Sequence, residues 1–382
     1  MSEEYQGPMI SADGHVVEPA DLWTSRMPKK WRDKAPHIEN VPEMGDCMII
    51  DGLKPRPIAF EGPMIEMKAR GEEIPKIADF RYDDCRPGSW DPDERLKDQD
   101  IDGVLGEVVY PGVGLFIWDS DQEEMLYEVC KTYNDWLSEF CGAHPDRLKG
   151  AAILPTRGPI EWAVAEAERA EKLGLGSVML PAWCDHRPYN QPIWDTLWAR
   201  LEEMNMLCNF HLGGGIFPSH IRGPGASGVL VCAGKMNLNE PMQLVIWGGA
   251  PQRFPKMRWS IVEGVLGWIA AALELMDHWW EDHKGWMKPR LEKTPSEYFR
   301  SNFLATFEDD RAGVLTRELI GVDTLMWGAD YPHTEGVWPF SKKSVASNFA
   351  GCPDEETHKI VCSNAADLYG FDLDKLLANR AA

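Results

Sequence analysis

An acid and an imidazole stand two residues apart near the start of the chain. Asp13 and His15 follow a short apolar run, and alternate residues of an extended chain point to the same side. One carboxylate and one imidazole on the same side make half of a divalent-metal site. Glu18 lies three residues further on and could fold back over them. The alternative is structural, with Asp13 capping a turn and His15 satisfied as a buried polar side chain.

Three other apolar runs also end in side chains that bind metals in proteins. They end in an imidazole before glycines, or in carboxylates that would need a cation if buried. The candidate ligands are His211 with His220 in the same glycine-rich segment, Glu263, and Asp330 with His333. Each has a structural alternative as a core histidine, a helix cap or a turn residue. Their joint occurrence at the ends of separate runs favours a common site.

The runs that carry these residues alternate with amphipathic segments, which predicts eight strands with helices between them. The predicted strands cover residues 9–11, 103–109, 150–154, 177–180, 207–210, 259–262, 303–306 and 325–327. Repeated strand–helix units predict a parallel sheet with right-handed crossovers, and eight units predict a closed α/β barrel of the (β/α)₈ TIM type. A doubly wound open sheet is the alternative, but the glycine fingerprint expected after an early strand is not found.

In such a barrel the candidate ligands follow strands one, five, six and eight, whose C-terminal ends surround one centre. Residues 19–87 after strand one and residues 213–235 after strand five, with seven glycines, lie on the same side. Within a single domain of residues 1–382, we predict that 19–87 is a lid or cap and that 213–235 is an active-site loop. A disordered insert is the alternative. Four aromatic residues near strand ends predict an aromatic-walled pocket: Trp90, Phe116, Trp118 and Trp183.

Composition excludes several classes of function. The 382 residues are 44% hydrophobic and 26% charged, as expected for a globular protein. A net charge of −22, from 61 acidic and 39 basic residues, disfavours nucleic-acid and membrane-surface binding. Nine cysteines without a Cys-x-x-Cys pair, and no visible signal peptide, predict reduced thiols in a cytoplasmic protein. The lack of a Gly-x-Ser-x-Gly elbow and of a P-loop disfavours serine hydrolases and nucleotide hydrolysis.

Together, the motifs are similar to those of the amidohydrolase superfamily, in the branch of amidohydrolase-related proteins that includes the aminocarboxymuconate-semialdehyde decarboxylase-like enzymes. The resemblance rests on Asp13-Gly-His15, His211, the Trp-Gly-Ala-Asp330-Tyr-Pro-His motif and the closing Asn364-Ala-Ala-Asp-Leu-Tyr-Gly segment. It implies a (β/α)₈ barrel with a divalent metal at the C-terminal face. It also implies that Asp13, His15, His211 and Asp330 are metal ligands.

Two departures from the family pattern bear on the reaction. The decarboxylases usually have a histidine before glycines at strand six, where this chain has Glu263. Residues 176–181 at strand four lack the lysine that bridges the metals of the two-metal hydrolases. Four carboxylates and four imidazoles remain, enough for two metals: Asp13, Glu18, Glu263, Asp330, His15, His211, His220 and His333. Such a mixed set resembles the small group of amidohydrolase-related dinuclear oxygenases.

We therefore predict a dinuclear non-haem Fe or Mn/Fe oxygenase that uses O₂ to hydroxylate an unactivated C–H bond of a small organic substrate. The alternative is a metal-dependent hydrolase or non-oxidative decarboxylase, active without O₂ on a small carboxylic acid or amide, with Zn²⁺ or Mn²⁺. The predicted catalytic residues are Asp330, His333 and Glu263, and in the alternative Asp330 is also the general base. A partner subunit that keeps the barrel without the chemistry is a third interpretation.

Subunit contacts are predicted on one outer helix. Trp279, Trp280 and Trp286 form a cluster that exceeds what an outer helix of a barrel needs. We predict an oligomer contact there, with a second copy of the chain or with a related subunit. Exposure to solvent is the alternative.

Overall fold

The protein is described by a computed structural model over residues 4–214 and 221–381. Eleven strands occur in these ranges. They are β1 (Ile10–His15), β2 (His37–Val41), β3 (Gly45–Ile49), β4 (Arg56–Pro57), β5 (Gly106–Tyr110), β6 (Leu148–Ile153), β7 (Ser177–Pro181), β8 (Leu207–His211), β9 (Trp259–Val262), β10 (Phe303–Phe307) and β11 (Leu325–Trp327).

Eight of the strands form one parallel sheet in the order β1-β5-β6-β7-β8-β9-β10-β11. The two outer strands meet where Gly14 pairs with Tyr331 in parallel. There the amide of His15 donates to the carbonyl oxygen of Tyr331 at 2.6 Å, and the amide of Asp330 donates to that of Asp13 at 2.9 Å. These bonds close the sheet into a ring, so the prediction of a (β/α)₈ barrel is confirmed.

Helices connect the strands on the outside of the barrel. They are α1 (Leu22–Arg26), α2 (Ile65–Arg70), α3 (Pro92–Asp102), α4 (Glu123–Ala143), α5 (Ile160–Lys172), α6 (Asp195–Met204), α7 (Ala226–Asn237), α8 (Asn239–Trp247), α9 (Ala250–Arg253), α10 (Gly267–His283), α11 (Pro295–Asn302), α12 (Arg311–Leu315), α13 (Arg317–Ile320), α14 (Ser341–Asn348), α15 (Asp354–His358), α16 (Asn364–Tyr369) and α17 (Leu373–Ala381). Among these helices, none combines the length and apolar character that crossing a membrane requires.

The crossover from β1 to β5 shows how local sequence sets the ends of an element. Asp91 caps α3 by accepting hydrogen bonds from the amides of Asp93 and Glu94. Pro92 occupies the first helical position, where an amide donor is not needed. The helix ends at Gly103, whose φ of 82° favours glycine. The chain then leads directly into β5.

Two regions differ from the predicted elements. β1 extends beyond residues 9–11 to His15, because pairing with β5 continues after a register shift between Ser11 and Gly14. Residues 226–237, mostly inside the predicted loop 213–235, form helix α7 although two glycines lower the helix propensity of this segment. Tertiary contacts hold this helix, since Lys235 pairs with buried carboxylates of the barrel.

The predicted lid, residues 19–87, contains a small sheet and two helices. β2, β3 and β4 pair in an antiparallel arrangement. Ile65 of α2 packs with Tyr331 and Trp338, which follow the last barrel strand. This packing fixes the segment over the C-terminal face of the barrel. It brings Arg56 and Glu61 to the cavity at that face.

Tryptophan side chains fill much of the space between helices and sheet. Trp194 and Trp198 of the α6 region stack with ring centroids 5.6 Å apart, and Trp198 meets Trp259 of β9 edge-on at 5.7 Å. All three are fully buried. Part of the high tryptophan content is therefore structural. The nine cysteines are all free thiols.

Candidate metal centre

Five acidic and imidazole side chains meet where β1, β8, β9 and β11 end. Asp13 and His15 belong to β1, and His211 is the last residue of β8. Glu263 follows β9 by one residue, and Asp330 follows β11 by three. None of the five is more than 2% exposed. Residues far apart in the chain therefore converge at the face where the barrel prediction places them.

Asp13, His15 and His211 present ligand atoms that lie within 4.8 Å of one another. Oδ1 of Asp13 is 3.5 Å from Nε2 of His15 and 3.4 Å from Nε2 of His211. Oδ1 of Asp330 lies 3.5 Å from Nε2 of His15. In the described part of the chain, Nε2 of His15 and Oδ2 of Asp330 have no hydrogen-bond partner. Buried polar atoms are rarely left unpaired, so these four side chains fit a divalent cation.

Backbone carbonyl groups orient the two imidazoles. Nδ1 of His15 is 2.7 Å from the carbonyl oxygen of Pro111, and Nδ1 of His211 is 2.6 Å from that of Leu212. A carbonyl oxygen only accepts hydrogen bonds, so each Nδ1 carries the proton. Each Nε2 then presents a lone pair towards Asp13, as a ligating histidine must.

The protonation states of His15 and Asp13 also favour the binding of a cation. Burial, and then the neighbouring His333, lower the pKa of His15 to about 3, so this imidazole is neutral at pH 7. Burial by itself raises the pKa of Asp13, but the adjacent His15 and His211 imidazoles outweigh it and hold that pKa below its ordinary value. A neutral imidazole beside an ionised carboxylate is the combination that divalent metals bind.

Close backbone packing explains the glycines in two of the motifs. A Cβ atom at Gly14 would lie 2.0 Å from Oε1 of Glu107, and one at Gly328 would lie 2.4 Å from Cβ of Asp13. Asp330 has a φ of 53°, in the left-handed region that non-glycine residues rarely adopt. Backbone strain of this kind is concentrated at functional sites. Gly328 therefore allows the segment after β11 to approach β1 at Asp13, and Gly14 leaves room for the buried Glu107 side chain.

His333 lies against the first ligand group but faces two carboxylates. Its Nδ1 is 2.8 Å from Oδ1 of Asp330, and its Nε2 is 3.2 Å from Oε2 of Glu61. Its ring stacks on His15 with centroids 3.8 Å apart. Burial lowers the pKa of His333, but the two carboxylates raise it well above its ordinary value. His333, which was predicted to be a metal ligand, is therefore an imidazolium that pairs with Asp330 and Glu61 in the structure.

A lysine and two further glutamates adjoin Glu263. Nζ of Lys235 is 3.2 Å from Oε1 of Glu263, 3.3 Å from Oε2 of Glu308 and 3.7 Å from Oε1 of Glu335. Burial lowers the pKa of Lys235, but Glu308 and Glu263 raise it well above its ordinary value. Sequence reasoning missed Glu308, although it directly follows strand β10 as Glu263 follows β9. Lys235 was not identified as a site residue from the sequence, because its segment was predicted to be a loop.

Of the remaining predicted ligands, Glu18 does not join these groups. The Oε1 atom of Glu18 accepts a hydrogen bond from the amide of Gly114 at 3.1 Å, and burial raises the pKa of Glu18 to about 8. The side chain supports the loop after β5. His220 lies outside the described residues. The helix-cap alternative for Glu263 is not what the structure shows, since Asp310 accepts from the amides that begin α10.

A family comparison identifies the barrel. Residues 22–371 match the family model described as Amidohydrolase. The chain belongs to the amidohydrolase family. The match includes His211, Glu263 and Asp330, and it begins after Asp13 and His15. The resemblance that the sequence motifs indicated is thereby confirmed, and a search among curated proteins finds no match.

Solved structures share the fold of this amidohydrolase. An amidohydrolase from Mycobacterium avium subsp. paratuberculosis is 23% identical, with a TM-score of 0.76 over 96% of this chain and 99% of that one. A 5-carboxyvanillate decarboxylase from Novosphingobium aromaticivorans, with bound manganese and a nitrobenzoic acid ligand, is 16% identical (TM-score 0.68; 96% and 100% covered). A dihydroxybenzoic acid decarboxylase from a Polaromonas species, with manganese and 2-nitroresorcinol, is 17% identical (TM-score 0.63; 97% and 99% covered).

A cavity of about 1180 Å³ opens over the centre of the amidohydrolase barrel. Phe116, Trp118 and Trp183 line it as predicted, whereas Trp90 instead stacks on Tyr82 with ring centroids 5.2 Å apart. The cavity therefore has aromatic walls, and Glu61, Glu263 and His333 add charged groups to its lining.

Two arginines give the same cavity a positive side. Arg56 pairs with Asp119 and lies over the ring of Phe116 at 4.2 Å. Arg157, four residues after β6, has a buried Nε atom without a hydrogen-bond partner in the described part of the chain. A guanidinium group that lines the cavity with an unused Nε–H donor is suited to bind an anionic group of a substrate.

Proposed function

We propose that this amidohydrolase is a metal-dependent, non-oxidative decarboxylase of small aromatic carboxylic acids. The observation that carries the proposal is the convergence of Asp13, His15, His211 and Asp330 beneath a cavity with aromatic walls. Arg157 supports a carboxylate-bearing substrate rather than a neutral amide. The manganese-containing decarboxylases that share the fold support the same class of reaction.

The side chains have separate tasks in such a reaction. A divalent ion held by the four ligands supplies a Lewis-acid centre for substrate oxygens. The aromatic walls bind the ring and exclude water, and Arg157 orients an anionic substituent. His333, paired with Asp330 and Glu61, holds a proton beside the metal ligands. When the C–CO₂⁻ bond breaks, the electron pair stays on carbon and takes up this proton, CO₂ leaves, and water restores the proton to the His333 pair.

The oxygenase prediction finds less support. Neither the family match nor these structural neighbours supports O₂ as a co-substrate. Glu263, one of the carboxylates that were expected to hold two metals, is paired with Lys235, and so is its neighbour Glu308. We therefore prefer the non-oxidative alternative.

The test is a turnover assay without oxygen. Protein loaded with Mn²⁺ or Zn²⁺ is incubated anaerobically with a panel of hydroxybenzoic acids, and released CO₂ and the aromatic product are quantified. We expect one CO₂ per product molecule, with the same rate in air. Turnover that requires O₂, or hydrolysis of an amide panel without CO₂ release from any acid, would contradict the proposal.

A further inference from the structure

A second set of carboxylates lies beside the first ligand group. Oxygen atoms of Glu263, Glu308 and Asp330 lie within 4.8 Å of one another, and all three residues are buried. Glu263 and Glu308 follow the neighbouring strands β9 and β10, which places their side chains next to each other. Buried like charges this close repel strongly unless a cation lies between them. Without a cation supplied by the protein, these three carboxylates would form a site for a second metal ion.

The chain itself supplies a cation at this place. Nζ of Lys235 is 3.2 Å from Glu263 and 3.3 Å from both carboxylate oxygens of Glu308. The lysine side chain is only 12% exposed. It extends from α7, which also lines the cavity with Leu230 and Val231. A side chain so placed is an internal counter-ion of the centre.

A divalent ion and the ammonium group cannot share these oxygens. A metal bound by carboxylates lies roughly 2–2.6 Å from their oxygen atoms, which would put it within a few ångströms of Nζ. Two cations at that separation, shielded from water, repel each other. A second metal could bind only if the Lys235 side chain left the cluster.

We propose that Lys235 occupies the place of a second cation and limits the centre to one divalent metal per chain. This replaces the two-metal prediction made from the sequence. The inference rests on the proposed function in one respect, because both assume a metal ion at Asp13, His15, His211 and Asp330. Decarboxylation with two bound metals would overturn the inference alone, whereas one bound metal without decarboxylation would overturn the function alone.

The experiment counts metal ions in the purified, full-length protein. The wild type, Lys235→Met and Lys235→Arg are dialysed against Mn²⁺, and bound manganese is measured by mass spectrometry. Electron paramagnetic resonance then distinguishes an isolated ion from a coupled pair. We expect one isolated Mn²⁺ in the wild type and in Lys235→Arg. We expect a second, coupled Mn²⁺ in Lys235→Met, because the freed carboxylates regain a cation.

Each outcome decides the question. Two ions in the wild type, or a single ion in a folded Lys235→Met protein, would overturn the proposal. Lys235→Gln repeats the measurement if the Met variant does not fold. Lys131→Met is the matched control, since Lys131 lies on the outer helix α4 and pairs there with Glu128. The control should bind one ion.

Discussion

At the scale of single residues, replacement of the ligand His211 gives the clearest prediction for metal affinity. Its Nδ1 is held by the carbonyl oxygen of Leu212 while Nε2 faces Asp13. His211→Ala leaves three ligands, so we expect the affinity for Mn²⁺ to fall by about 100-fold or more. Metal content after dialysis against buffered Mn²⁺ measures this change.

The matched control is His186→Ala. His186 lines the same cavity, but its Nε2 lies 3.1 Å from the carbonyl oxygen of Thr156 and away from the ligand group. This variant should keep the metal affinity of the wild type. Unchanged affinity in His211→Ala would refute the ligand assignment.

Arg157 provides a second prediction, about substrate binding. A charged hydrogen bond to a substrate carboxylate contributes about 1.5–3 kcal/mol, so Arg157→Gln should raise KM by about 10- to 100-fold. We expect kcat to change little, because the contact is present in ground state and transition state alike. Steady-state kinetics with the best acid of the panel measures both constants.

A nearby arginine serves as the control for this prediction. Arg187 donates to the carbonyl oxygen of Gly158 and does not line the cavity. Arg187→Gln should therefore leave KM unchanged. An equal rise of KM in both variants would indicate a general structural effect rather than loss of a substrate contact.

Single residues were predictable where a polar side chain ends an apolar run. Asp13, His211 and Asp330 carry that signal, and the structure brings them together. Lys235 and Glu61 could not be found in this way, because each reaches the centre from a segment that is not a barrel strand. Their positions depend on tertiary packing, which strand periodicity does not encode.

At the scale of elements, the packing of the Glu107 side chain of β5 against β1 depends on the missing side chain of Gly14. A Cβ atom there would meet Oε1 of Glu107 at 2.0 Å. Gly14→Ala should therefore lower the free energy of unfolding by about 1–3 kcal/mol through overpacking. Gly176→Ala is the control, since a Cβ atom at Gly176 meets nothing within 4 Å. Urea denaturation compares the two variants, and equal stability would contradict the packing argument.

The junction between α3 and α14 predicts a pH dependence of stability. Asp102 accepts hydrogen bonds from the amide and hydroxyl groups of Ser341, and burial raises its pKa to about 6. The folded state then binds more protons than the unfolded state at mildly acidic pH, so this carboxyl group favours folding less as pH rises. From about pH 4 to about pH 7 the loss should amount to roughly 2 kcal/mol.

Asp102→Asn isolates this effect. The amide keeps an oxygen that can accept from the Ser341 amide but does not ionise. We expect the stability of the variant relative to the wild type to increase as the pH is raised over this interval, as measured by urea denaturation at several pH values. A difference that does not vary with pH would show that Asp102 is not buried in this way.

Most elements were predictable from periodicity, and the exceptions have identifiable causes. The eight barrel strands were predicted because each is a short apolar run between helical segments. α7 was not, because its glycines give it little helical signal and contacts through Lys235 stabilise it. The sheet β2–β3–β4 was not assigned, because β2 is rich in polar residues and partly exposed and β4 has only two residues.

At the scale of the whole molecule, the tryptophan cluster on α10 remains a predicted subunit contact. Trp279 is 48% exposed and Trp286 is 67% exposed, and both pack on His283. Trp280 has a structural role, since its ring lies against Lys284 and its Nε1 donates to Leu291. We expect the wild type to be a homodimer or larger in light scattering and Trp279→Ser/Trp286→Ser to be monomeric. A monomeric wild type would contradict contact with a second copy and leave the related subunit as the predicted partner.

Closure of the barrel also determines when the centre can exist during synthesis. The backbone hydrogen bonds that join β1 to the segment after β11 also bring Asp13 and His15 beside Asp330. A chain still emerging from the ribosome carries the first two ligands long before the last one has been made. Loading of the ion is therefore a late step of maturation, and ion uptake during cell-free translation would report completion of the ring.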